Sequence, residues 1–202
     1  MNAMNTLNLT LFDLLNAPPD TASSSVLIAQ LCAVQLIWLV PALLVVGWLR
    51  GSERLKRPLL EAFMATLLAL AISYVIGLLW PTPRPFMVPV GESLLEHRAT
   101  PAFPSNHLTI ILTMSFSLLL HIKTRRIGAA LLLLALPVAW ARIFLGVHFP
   151  QDMLGAAVLA ASVAGLVGAC RGWLVAPFYH HVASRLYRWL FAPLIQRGWV
   201  RS

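Results

Sequence analysis

Arg142, His148 and Asp152 put a cation, an imidazole and a carboxylate within eleven positions of a chain that is 59% hydrophobic. They lie in the stretch ARIFLGVHFPQD, residues 141–152. Asp152 comes four residues after His148, close enough to fold back onto the ring. A carboxylate on one imidazole nitrogen fixes the tautomer and leaves a lone pair on the other. That is the logic of a nucleophile held by an orienting group. Pro150 suits the start of a helix, so His148 is expected just before one. In PAFPSNH, residues 101–107, Pro104 and Ser105 again mark a helix start, with Ser105 a favoured N-cap. The free backbone N–H groups of such an end bind anions, phosphate especially. His107 on its first turn can give up a proton. Arg84 stands between two prolines in WPTPRPF, residues 80–86. Arginine forks match phosphate oxygens and keep their charge. These parts compose a phosphoryl transfer. Arg84, Arg142, Ser105 and the helix end hold the phosphate, His148 attacks phosphorus, His107 protonates the leaving oxygen, and water then releases the phosphohistidine. The arginines supply the positive charge, so neither metal nor cofactor is expected.

The elements that must carry these groups are membrane helices. Only 11% of the 202 residues are charged and the mean hydropathy is +0.78, against about 25% charged in a soluble domain. Apolar runs at 26–49, 59–80, 107–122, 127–143 and 153–175 read as five spans, the third and fourth short. The expectation is an all-α polytopic membrane bundle forming a single domain over 1–202. An interfacial N-terminal segment, 1–25, contains a short helix at 5–16 that ends before Pro18-Pro19. An amphipathic tail, 176–202, lies along the cytoplasmic surface. Nothing before the first apolar run reads as a signal peptide. Twelve of the fifteen lysines and arginines fall on one side of these spans, which makes that side cytoplasmic. The other three, Arg84, Arg98 and Arg142, lie on the outer side with all three motif stretches. No basic run interleaved with aromatics supports nucleic-acid binding. Cys32 and Cys170 lie in apolar segments without metal spacing and read as packing residues.

Arg84-Pro85, Pro104-Ser105-Asn106-His107 and Arg142-x5-His148-x3-Asp152 resemble the three motifs of the type 2 phosphatidic acid phosphatase (PAP2) superfamily. LNLTLFDLLNAPPD, LGVHFPQDMLGA and the closing RGWVR extend the likeness to bacterial undecaprenyl-diphosphate phosphatases of the BcrC type, over nearly the whole chain. The resemblance implies a helical bundle in the bacterial plasma membrane. It implies dephosphorylation of a polyprenyl diphosphate at the outer face, and with it peptidoglycan precursor recycling and bacitracin resistance. His148 is then the nucleophile, Asp152 its orienter and His107 the acid, with Arg84, Ser105, Asn106 and Arg142 at phosphate-binding positions. Two positions depart from the family. Gly77 stands where the broad family has a lysine, seven residues before Arg84, and His97 or Arg98 are the candidates to replace it. Asn106 stands where a glycine is usual.

Other readings remain open. His148 and Asp152 can be a structural pair, and Arg142 a snorkelling cation. His97, Glu92 and Glu96 suit a solvated loop better than a site. His121, His180 and His181 fall on the cytoplasmic side, away from the motifs. Trp38, Trp48, Trp80, Trp173, Trp189 and Trp199 read as interface anchors. The same chemistry serves a phosphatase or phosphotransferase acting on phosphatidate, phosphatidylglycerophosphate or lipid A. A non-catalytic membrane binder, such as a bis-histidine haem protein, needs histidines facing each other inside the bundle. A transporter needs a repeat and mid-membrane charge that the spans do not show. The partners expected are the lipid substrate and membrane lipids.

Overall fold

Long apolar runs with polar ends fold into helices that satisfy their own backbone groups, the requirement lipid imposes. A computed structural model describes residues 3–88 and 90–201. Among the described residues are eight helices and no strand: α1 (Ala3–Leu15), α2 (Ser23–Arg50), α3 (Glu53–Leu79), α4 (Asn106–Leu119), α5 (Arg125–Phe144), α6 (Pro150–Ala169), α7 (175–190) and α8 (Ala192–Gln196). The helices α2, α3, α5 and α6 are long and apolar enough to cross a membrane. The chain is a multi-pass, all-helical membrane protein.

The third expected span is shorter than its sequence run. α4 has 14 residues, a rise of about 21 Å. It can be short because it sits at the centre of the bundle. Ile111, Met114 and Leu118 are fully enclosed, and Thr109, Thr113, Ser115 and Ser117 are buried with them. Its neighbours are α3, α5 and α6. Small and hydroxylated residues let membrane helices approach closely and bond across. The Ser115 hydroxyl donates to the Gly128 carbonyl of α5 at 2.8 Å, and a Cβ on Gly128 would meet the α4 backbone at 2.8 Å.

The fifth span also ends early, at Ala169 rather than near 175. Arg171 turns back, and its Nε donates to the Gly168 carbonyl at 2.9 Å, satisfying a carbonyl of the last turn. The chain then re-enters helix at 175. The amphipathic tail keeps most of its large apolar side chains exposed but pins two tyrosines inward. Tyr179 and Tyr187 are buried, with ring centres 6.3 and 6.2 Å from Trp48 of α2. Trp48 is half-buried and packs the tail against α2.

α1 matches the helix expected over 5–16 but does more than rest at an interface. Phe12 is completely buried against Phe149 and Ile143. The Asn8 side chain accepts from the Gln151 N–H at 2.9 Å. Asn16 ties three segments together. Its amide donates to the carbonyls of Glu92 and Phe144, both at 3.0 Å, and its oxygen accepts from the Glu92 N–H at 2.7 Å. The N-terminal helix thus clamps the α5–α6 turn and the long 80–105 connection.

Candidate active site

One end of the bundle gathers the C-termini of α3 and α5, the N-termini of α4 and α6, and the 80–105 connection. The turn from α5 to α6 carries His148. Its backbone is wound tightly, with the Val147 and His148 N–H groups both donating to the Arg142 carbonyl, at 3.0 and 3.2 Å. Pro150 opens α6 as expected. In its first turn the Asp152 carboxylate reaches back. Oδ2 accepts from the Phe149 N–H at 3.0 Å and from His148 Nδ1 at 3.1 Å. His148 and Asp152 are 2% and 0% exposed, so this carboxylate has no solvent competing for the ring.

The other ring nitrogen fixes the tautomer independently. Arg84 Nη1 lies 3.0 Å from His148 Nε2. A guanidinium carries only donors and keeps its protons. Nε2 must therefore be the acceptor, and Nδ1 carries the proton given to Asp152. Burial, followed by the charges of Arg142, Arg84, His97 and His107, holds His148 well below its ordinary 6.5. The neutral ring with its lone pair on Nε2 is the resting form.

Arg84 is 5% exposed, and every one of its five N–H groups is engaged. Nε donates to the Thr100 carbonyl at 2.9 Å. Nη1 reaches the Val147 carbonyl as well as His148, and Nη2 reaches the Thr100 hydroxyl and the Pro101 carbonyl, each at 3.2 Å. Burial lowers its affinity for the proton and nearby Asp152 partly restores it. An anion entering here must replace the Arg84–His148 contact, which places it between the fork and the lone pair.

Arg142 has donors to spare. Nη1 donates to the Ala33 carbonyl of α2 at 3.3 Å, Nη2 lies 3.4 Å from His97 Nε2, and Nε is buried without a partner. Ser105 occupies the N-cap position of α4, but its hydroxyl makes no cap bond. It is buried and unpartnered, while its N–H donates to the Asp152 carbonyl at 3.2 Å. The expected cap role is corrected: the hydroxyl is unspent. Asn106 turns aside, its Oδ1 accepting from the Ser73 hydroxyl of α3 at 2.7 Å. Gly77, one turn beyond Ser73, faces Pro101, which a Cβ would meet at 3.4 Å. His107 is half-buried in the first turn of α4 and makes no side-chain hydrogen bond to another described residue.

The two candidates to replace a lysine at position 77 separate. His97 stands at the site, its ring centre 6.5 Å from that of His148. Its Nδ1 donates to the Arg98 carbonyl at 3.0 Å, so Nε2 is the acceptor facing Arg142. Burial lowers its proton affinity, the Arg98 carbonyl raises it, and Arg84 and Arg142 lower it further. The Arg98 side chain stays outside, exposed. His97 is itself exposed, as a solvated loop residue would be, while its Nε2 comes within 3.4 Å of Arg142. Thr100, Asn16 and the carbonyls of Ala33 and Val147 carry the frame of the site and had no signal in the sequence. Among the described residues, no three His, Cys, Asp or Glu side chains group as metal ligands.

The turn depends on Gly146, whose φ of +72° is one that L side chains rarely adopt, and where a Cβ would lie 2.1 Å from the Glu92 carbonyl oxygen. Gly146→Ala is expected to cost at least about 1–2 kcal/mol from backbone strain alone and to push residues 92–95 off the turn. Thermal unfolding in detergent and kcat should both fall. An unchanged kcat would show that the 92–95 contact does not hold His148.

The chain is similar to known proteins over most of its length. The sequence profile of the PAP2 superfamily matches residues 58–187. YbjG of Escherichia coli (strain K12), whose name provisionally assigns it undecaprenyl-diphosphatase activity, is 37% identical over 200 residues, 97% of this chain and 98% of that one. Undecaprenyl-diphosphatase BcrC of Bacillus subtilis (strain 168) is 35% identical over 113 residues, 56% of this chain and 58% of that one. The crystal structure of Aquifex aeolicus LpxE superimposes with a TM-score of 0.62 at 23% identity, covering 80% of this chain and 94% of that one. Three motifs at one end of a helical bundle, a profile match over residues 58–187 and a full-length relative agree: the chain belongs to the PAP2 superfamily of membrane phosphatases.

Proposed function

We propose that this protein hydrolyses undecaprenyl diphosphate to undecaprenyl phosphate and inorganic phosphate through a phosphohistidine on His148. The observation that carries the chemistry is the His148 ring, held between Asp152 on Nδ1 and the Arg84 fork on Nε2. The lone pair of Nε2 attacks the terminal phosphorus as the bond to the bridging oxygen breaks. His107 gives its proton to that oxygen, and undecaprenyl phosphate leaves. Water then attacks the phosphohistidine, His107 takes the water's proton, and the P–N bond breaks to release phosphate and restore the lone pair. One water is consumed. Arg84, Arg142, the Ser105 hydroxyl and the N-termini of α4 and α6 stabilise the charge on the equatorial oxygens. His97 beside Arg142 adds a donor for the phosphate once protonated. The choice of lipid is supported by similarity to YbjG along almost the whole chain and to BcrC.

The test is phosphate release by purified protein in detergent, with EDTA present, from undecaprenyl diphosphate, phosphatidate and phosphatidylglycerophosphate. Undecaprenyl diphosphate is expected to give the highest kcat/KM, undiminished by EDTA. A faster phosphatidate reaction would overturn the substrate and leave the chemistry standing. Loss in EDTA restored by one divalent ion would overturn the mechanism itself.

We also infer that the site faces outward, in the bacterial plasma membrane. Three of the fifteen basic residues, Arg84, Arg98 and Arg142, lie at the site's end of the bundle, and the rest lie towards the other. In intact cells, a cysteine placed at 92 should react with an impermeant reagent and one at 54 should not. The reverse pattern would move the site to the inner leaflet.

A further inference from the structure

The opposite end of the bundle holds a second cluster of charged side chains that the steps above do not use. Glu61, two turns into α3, is 2% exposed. Its Oε2 lies 3.1 Å from His121 Nε2, and its Oε1 lies 3.4 Å from Arg171 Nη2. These are ion-pair distances without hydrogen-bonding geometry, and Oε1 and His121 Nε2 are both buried with no hydrogen-bond partner. A carboxylate this fully buried near the end of an apolar span is costly, and such residues mark functional positions. A cavity of about 470 Å³ lies against it, lined also by His121, Arg54, Arg57, Lys123 and Arg171. The other acid on its rim, Glu53, is already engaged by the Tyr179 hydroxyl at 2.6 Å and lies 3.9 Å from Arg57.

Four cations therefore face the cavity against two carboxylates, and its floor carries an acceptor that lacks a donor. A simple anion answers the cations but not Glu61. A simple cation is repelled by the rim. A phosphate joined to a group bearing N–H or O–H answers both. The cavity is lined from helix ends, where a membrane-spanning bundle meets lipid headgroups, and basic pockets between membrane helices take such groups. We infer that it binds the headgroup of a glycerophospholipid from the leaflet opposite the catalytic site. The phosphodiester lies among Arg54, Arg57 and Lys123, and the terminal donor reaches Glu61 Oε1. Phosphatidylglycerol and phosphatidylethanolamine fit this description. Phosphatidylcholine has the phosphate but no donor. A bound headgroup bridges α3, the α4–α5 turn and the α6–α7 turn.

Native mass spectrometry of the full chain in detergent, titrated with the three lipids carrying identical acyl chains, tests this. Phosphatidylglycerol and phosphatidylethanolamine are expected to bind about tenfold more tightly than phosphatidylcholine, the ratio one hydrogen bond to a charged group supplies. Glu61→Gln should shrink that preference. The exposed double variant Arg54→Ala/Lys123→Ala, which does not depend on Glu61 tolerating change, should weaken all three lipids and leave phosphate release in detergent unaltered. Arg125→Ala/Arg126→Ala, on the same face but outside the cavity, should change nothing. Equal binding of phosphatidylcholine would overturn the donor contact. Equal losses in the two double variants would reduce the effect to general surface charge. A rise in thermal midpoint with inorganic phosphate matching that with lipid would reassign the cavity to free phosphate.

Discussion

Replacing His148 by alanine is expected to abolish phosphate release and the phosphoenzyme together, with a loss on the order of 10⁴-fold or more. Nε2 of His148 is the lone pair that faces the Arg84 fork. Among the described residues no other lone pair stands in that position: His97 points its acceptor at Arg142, and the Ser105 hydroxyl has no base bonded to it. Acid-labile, base-stable phosphate trapped on the wild type should be absent from the variant. Label that survives His148→Ala, or that maps to His107, would reverse the assigned roles. The same ring sets the acid side of the pH profile. Attack needs the neutral form, and burial and the surrounding cations keep the ring neutral to well below 6.5. Activity should therefore be lost only as pH falls through that depressed value. The acid limb of kcat/KM, which reports the free enzyme, is expected below pH 6.5. Asp152→Asn should be a weaker lesion of the same kind, because an amide in place of Oδ2 still accepts from the ring in one orientation but no longer stabilises a positive charge there.

His107→Ala is expected to slow turnover by about 10²–10⁴-fold, the usual range for loss of a general acid. The variant should still form phosphoenzyme, which separates it from His148→Ala. His107 stands free of side-chain hydrogen bonds at the start of α4, beside an unspent serine hydroxyl, where a leaving oxygen can be reached. The size of the loss should follow the leaving group. With p-nitrophenyl phosphate, which hardly needs a proton to depart, the penalty should nearly vanish from the first step. A diphosphate should suffer less than a phosphomonoester lipid, because a phosphate leaves more readily than an alkoxide. A loss independent of leaving group would remove His107 from proton transfer and make it a phosphate contact. Slow release of trapped label would show that it also acts as the base in the second step.

Local spacing carried much of this protein. Apolar runs, with proline and serine at helix starts, placed α4 and α6. The four-residue interval from His148 to Asp152 placed the carboxylate on the ring, because both effects act within one or two turns of chain. Lipid demanded long apolar helices, so the all-helical bundle was legible in composition alone. Contacts between distant segments were not. Nothing periodic links Arg84 to Thr100, Pro101 and Val147, yet those groups take four of its five donors and leave one directed at His148. The exposed His97 ring reaches Arg142 and Arg98 next to it does not, a choice made by how the 80–105 connection is pinned by Asn16. Ser105 keeps its hydroxyl free, although its type and position predicted a cap, and the Asn106 amide oxygen accepts from Ser73 of a neighbouring helix. Sequence sets which group each position offers and which near neighbours it meets. Only the packing of helices and loops decides which of those groups is already bonded, and so which remains free to bind a phosphate.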